Sequence, residues 1–134
     1  MKTKVDFKQS ITAGFKAAGV ASILNAILFF IFHQAGIIVD TIFIQPEQSL
    51  TVFPIVLASI IPTLIASMVF FLIEKFTQNG FKIFRILSIL LMLLSFINPF
   101  MGIPSVSIGY AVALNVMHVT VVVALLYFIG KASK

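Results

Sequence analysis

Four stretches of the chain stay apolar long enough to cross a bilayer, and short polar segments separate them. They cover residues 17–36, 52–73, 81–98 and 106–129. At 1.5 Å rise per residue, a helix needs about 20 such residues to span the hydrocarbon core. The runs are continuous and lack the period-two alternation of barrel strands, so they predict membrane helices. The intervening residues carry helix punctuation. Glu74, Lys75 and Thr77-Gln78-Asn79-Gly80 close the second run, with Asn79 and Gly80 suited to a left-handed helix stop. Asn98-Pro99 closes the third, and Gly102, Pro104 and Ser105 precede the fourth. Gln45-Pro46-Glu47 marks a turn, after which Ser49 or Thr51 can cap the second helix with Pro54 in its first turn.

Composition narrows the class further. Of 134 residues, 60% are hydrophobic and 10% charged, where a soluble domain carries about 25% charged residues. A chain this short cannot bury that much apolar surface in one water-soluble core. The expected fold is all-α: a polytopic membrane protein forming one four-helix transmembrane bundle over residues 1–134. Cysteine is absent, which excludes disulfides, thiolate metal sites and cysteine nucleophiles. Tryptophan is also absent, so any aromatic belt rests on other residues.

The charges then orient the bundle. Lys2, Lys4, Lys8 and Lys16 precede the first span, Lys75, Lys82 and Arg85 surround the connection between the second and third, and Lys131 and Lys134 follow the fourth. Set against Asp6 and Glu74, these nine basic residues give one face a net charge of roughly +7, and Asp40 and Glu47 give the other about −2. Basic residues stay inside, so both termini are expected to be cytoplasmic. The clusters are accounted for by topology and contact with anionic lipid. Nucleic acid is not expected as a partner, because no basic surface interleaved with aromatics is present. The first span follows a basic segment as a signal peptide would, but its apolar run is long and no A-x-A-like site follows, so it reads as retained.

Two flanking segments have character of their own. Thr3 and Asp6 have capping-box spacing, and Phe7, Ile11, Phe15 and Ala18 follow at helical intervals. This predicts a cytoplasmic amphipathic segment over residues 1–16. Residues 37–51 form the longest external loop, and Ile38, Val39, Ile42, Phe43 and Ile44 make it too apolar to be fully solvated. It reads either as an extended hairpin lying on the mouth of the bundle or as a continuation of the first helix.

Candidate chemistry is sought among polar residues within the hydrocarbon, each of which the bilayer penalises. No Asp, Glu, Lys or Arg lies near the middle of any span, which argues against carboxylate-coupled ion transport and voltage sensing. No metal site or cofactor is expected, since His33 and His118 lie at different depths and offer too few ligands. His33 with Gln34 reads as an interfacial anchor. Counted from the inner boundary, Asn25 stands roughly 14 Å up, Thr63 roughly 17 Å and His118 roughly 20 Å, with Asn115 one turn further out. Asn115 and His118, three apart, share a helix face, and Pro62 frees a backbone carbonyl beside Thr63. One reading is a midplane site in which Asn115 and His118 face Asn25 and the Pro62–Thr63 break. The other is that the same residues are interhelical hydrogen bonds. Rows of small residues predict helix packing: Ser59, Thr63 and Ser67; Ala18, Ser22 and Ala26; Ser105, Gly109 and Ala113. The third span is bulky all round and is expected to be the most lipid-exposed.

The segment Ala113-Leu114-Asn115-Val116-Met117-His118-Val119, with the region of Asn25, resembles a family of short four-span bacterial membrane proteins known as a domain of unknown function. The resemblance covers nearly the whole chain and implies four spans and a bacterial origin, but no activity. Three classes of function follow. The first is a solute or ion transport or pore-forming unit acting as a homo-oligomer around the midplane site. The second is an accessory subunit that binds membrane lipids or a partner without catalysis. The third, an intramembrane enzyme using His118 as acid and base, is disfavoured for want of a carboxylate or a nucleophile stronger than Ser or Thr.

Overall fold

The computed structural model describes residues 4–45 and 48–134. The elements are α1 (Phe7–Gln34), β1 (Phe43–Gln45), β2 (Gln48–Ser49), α2 (Val52–Phe76), α3 (Gly80–Ser95), α4 (Asn98–Gly102) and α5 (Ile108–Ala132). Among the described residues, four helical segments are long and apolar enough to cross a membrane: α1, α2, α5, and α3 extended through α4 to Gly102. The chain is thus a four-span membrane bundle with a small hairpin at one end. Thr3 and the Pro46–Glu47 turn lie outside the described residues.

α1 departs from the expected boundary at residue 17. It is one uninterrupted helix of 28 residues, about 42 Å long against a core of about 30 Å. The amphipathic segment expected over residues 1–16 is, from Phe7 on, the first turns of this same helix, and Ser10, Ala13 and Gly14 are already buried in the bundle. The cap is set by Asp6, whose Oδ1 accepts from Gln9 N at 2.7 Å, while Gln9 Oε1 accepts from Asp6 N at 3.0 Å. This reciprocal pair is a capping box.

At its other end α1 stops at Gly36, which has φ of 74°. Ile37 N donates to Phe32 O at 2.9 Å and Gly36 N to His33 O at 3.1 Å, the bond pair of a Schellman stop. The helix therefore does not run on into residues 37–51. That segment instead forms the antiparallel pair β1–β2, with Phe43 opposite Ser49 and Gln45 opposite Gln48. Ile38, Ile42 and Leu50 are buried against the bundle, so the hairpin segment covers its mouth. His33 Nε2 and Asp40 Oδ1, 3.2 Å apart, tie α1 to the start of this cover.

α1 is the central helix and packs on both α2 and α5. Its closest approach is to α2: Ser10 Oγ donates to Ser67 O at 2.5 Å, and a Cβ at Gly14 would lie 2.5 Å from Ser67 Oγ. Ser59, Thr63 and Ser67 are all buried along this seam, as their spacing predicts. The α1 row is displaced from the expected one. Ala18 is buried, but Ser22 and Ala26 are only partly so, and the seam runs through Gly14, Ala17, Ala21 and Asn25. On α5, Ala113 is buried while Gly109 is exposed and near only Ile37, and Ser105 precedes the helix. Tyr110 takes the buried position one residue on, where its ring packs with Phe29, Ile38 and Ile55.

The remaining corrections concern α2 and α3. No left-handed stop occurs at Asn79–Gly80: Thr77 ends α2 in extended conformation, and Asn79, with φ of −120°, is the N-cap of α3. α3 buries only Gly80 and Phe84 and leaves Leu90, Leu91 and Leu94 exposed, in line with a lipid-facing helix. The core has two parts. Ala17, Ala21, Phe70, Phe84, Leu125 and Ile129 fill the half that carries the termini. Phe29, Ile38, Leu50, Ile55, Tyr110 and Met117 fill much of the hairpin half.

Candidate functional site

Asn25 sits where α1, α2 and α5 meet and is 2% exposed. Its Nδ2 donates to Ser59 Oγ at 3.0 Å and to the Met117 carbonyl at 3.2 Å. Ser59 Oγ in turn donates to Ile55 O at 2.9 Å. The Met117 carbonyl can only accept, so the amide nitrogen must face it, and the orientation of the side chain is fixed by chemistry. Oδ1 is left buried and without a donor. An unmet buried acceptor costs about 1–3 kcal/mol.

This amide borders a cavity of about 400 Å³ in the hairpin half of the bundle. α2 contributes Pro54, Ile55, Ala58 and Ser59, α5 contributes Leu114, Met117, His118 and Val121, and Asn98 and Pro99 of α4 close one side. Ile44 and Leu50 reach it from the hairpin segment. The walls are mainly apolar. The polar side chains are Asn25, Ser59, Asn98 and His118, and no charged residue contributes. An imidazole offers a donor or an acceptor at each nitrogen. Asn98 and His118 are both exposed, so the polar groups run from a buried amide out to an accessible rim.

The structure brings two of the five expected site residues, Asn25 and His118, to this cavity. The other three lie elsewhere. Thr63 is buried one turn away, its Oγ1 donating to Ser59 O at 2.6 Å, and it helps hold α2 against α1. Pro62 points to the exposed side of α2. It acts only indirectly: with no N–H to offer, it leaves the Ala58 carbonyl without its helical donor, and Ala58 lines the cavity. Asn115 turns toward the end of α3, where Nδ2 donates to Phe96 O at 3.1 Å. Residues three apart on a helix differ by about 60° in direction, enough to send Asn115 to α3 and His118 to the cavity.

Two contributors have weaker signals in the sequence. Ser59 reads there as a packing residue, yet it is the direct partner of Asn25. Asn98 reads as a helix terminator and instead sits on the rim. The signal for Ser59 is only its spacing of four from Thr63; counting residues puts it roughly 22 Å up, so depth alone does not pair it with Asn25. Among the described residues, no group of three or more His, Asp or Glu side chains comes together to hold a metal ion.

Over residues 6–134 the chain matches a family described as a family of unknown function, DUF6069. The chain belongs to that family. No curated protein and no solved structure matches it.

Proposed function

We propose that this family member is a non-catalytic membrane protein that binds a small, uncharged amphipathic molecule in the hairpin-half cavity. The observation that carries this reading is the buried, partnerless Oδ1 of Asn25, a residue that lines a mainly apolar cavity. A buried acceptor of this kind is satisfied by a ligand that brings a hydroxyl or amide N–H. His118 and Asn98 flank that group, and the ligand's apolar part lies along Leu50, Ile55, Leu114 and Val121. A full charge on the ligand is disfavoured, because no countercharge lines the cavity. We place it in a bacterial inner membrane, and the basic clusters support cytoplasmic termini, which turns the cavity toward the outer leaflet.

A transport or pore-forming unit is the second reading. Among the described residues, Phe70, Phe84, Leu125 and Ile129 fill the half of the bundle away from the cavity. Transport therefore requires several copies, and the exposed apolar face of α3 is available for such assembly.

The test is to purify the full chain in mild detergent and identify the small molecules extracted with it. Binding predicts a donor-bearing amphipath that is retained at least about tenfold more by the wild type than by Asn25→Leu, the equivalent of one strong hydrogen bond. Identical extracts overturn it. Solute flux through reconstituted vesicles that His118→Ala abolishes supports transport instead.

A further inference from the structure

A second cavity, of about 530 Å³, lies at the opposite end of the bundle between α1 and α5. Lys8, Thr12 and Lys16 line it from α1, and Phe128 and Lys131 from α5. Three lysines thus line one space with no carboxylate in its lining. The acidic side chains described at this end are engaged elsewhere. Asp6 caps α1 through Gln9 N, and Glu74 accepts from Val5 N at 3.4 Å and abuts Gly80. Among the described residues none of the three lysines makes an ion pair, although Lys131 Nζ lies 5.6 Å from the centroid of the Tyr127 ring.

We infer that this cradle binds a phosphate-bearing anion, held by Lys8, Lys16 and Lys131. Lysines that line one space without an internal counterion recruit an external one, and basic pockets between membrane helices suit phosphate head groups. The surroundings favour the phosphate of an anionic phospholipid over free phosphate. Val20, Ile23 and Ile27 continue from Lys16 at intervals of four, three and four, and all are exposed. Tyr127 and Val123 continue from Lys131 at intervals of four and are exposed too. These stripes run from the cradle toward the middle of the membrane, as acyl chains attached to a bound head group do.

The experiment counts lipids retained by the full chain in native mass spectrometry, with phosphatidylglycerol and phosphatidylcholine supplied in equal amounts. Wild type is expected to retain phosphatidylglycerol preferentially. The variant carrying Lys8→Gln, Lys16→Gln and Lys131→Gln together is expected to lose that preference by about a hundredfold, and Lys131→Gln alone by about fivefold, following the usual contribution of a basic residue at a membrane surface. The charge-matched variant Lys75→Gln, Lys82→Gln, Arg85→Gln should keep it. All six side chains are exposed, so both triple variants are expected to fold. Equal losses in the two triple variants, or no preference in wild type, overturn the proposal. Excess inorganic phosphate separates the sources: displacement of the lipid means the cradle takes the phosphate group alone, and lipid that stays bound means it also requires the chains.

Discussion

At the residue scale, two glycines of one helix should respond to the same substitution in opposite directions. A Cβ at Gly14 would lie 2.5 Å from Ser67 Oγ and 2.7 Å from Ser67 Cβ. Gly14→Ala must therefore push α1 from α2 and break the Ser10 to Ser67 bond, at a cost of about 1–3 kcal/mol typical of overpacking. At Gly19 an added Cβ meets nothing within 4 Å, and Gly19→Ala should stabilise by about 0.4–1 kcal/mol through the unfolded chain. Melting temperatures of the two variants in detergent check the pair; equal shifts would mean that the α1–α2 seam is looser than described. The same scale shows what the sequence leaves open. Counting residues along each span puts Asn25, Thr63 and His118 within about 6 Å of one another in depth, yet the partner Asn25 finds on α2 is Ser59, a turn beyond Thr63. Their directions are not legible, because α2 and α5 are apolar nearly all round. In lipid an apolar residue is content facing either way, so periodicity loses its phase. Pro62, Asn115 and Gly109 are the residues whose direction this ambiguity hides.

At the element scale, the parts with their own local chemistry are the legible ones. The β-branched run at residues 37–44 is too apolar for a solvated loop but leaves open a hairpin or a longer first helix, and the structure takes the first, with β1 paired to β2. Gly36 decides where α1 gives way to it, and it does so through φ of 74°, a conformation costing an ordinary residue about 1–2 kcal/mol. Gly36→Val should therefore fray the last turn of α1. Hydrogen exchange at the Ile37 and Ile38 amides, which both donate to Phe32 O, should accelerate by about tenfold or more. Unchanged exchange there would mean that the buried side chain of Ile38, and not the stop itself, holds the segment down. The amphipathic start of α1 is less legible for a related reason. Phe7, Ile11 and Phe15 do recur at helical spacing, but nothing in that pattern distinguishes a separate surface helix from the first turns of a long span. Burial of Ser10 and Gly14 against Ser67 of α2 makes the difference, and that is a tertiary contact.

At the scale of the whole molecule, the two cavities sit at opposite ends and differ in character. The hairpin-half cavity is bordered by a neutral amide and mainly apolar walls, and the cradle is lined by three lysines. The termini and the α2–α3 connection share the end that carries the cradle: Lys4 Nζ donates to Lys75 O at 3.1 Å, and Lys8 and Lys131 line one space. Four crossings require this, and it makes the orientation of the bundle a single binary question. Because the chain has no native cysteine, single introduced cysteines answer it without background. In intact cells Asp40→Cys, on the hairpin side, is expected to react with a membrane-impermeant maleimide. Lys4→Cys and Lys134→Cys are expected to react only after the cells are opened. The reverse pattern would place the three lysines outside and the apolar cavity inside, against the distribution of all nine basic residues. It would also move the cradle away from the leaflet whose negative surface potential draws basic groups. The two binding proposals therefore share this topology as a premise for their setting, while the cavities themselves depend only on how α1 packs between α2 and α5.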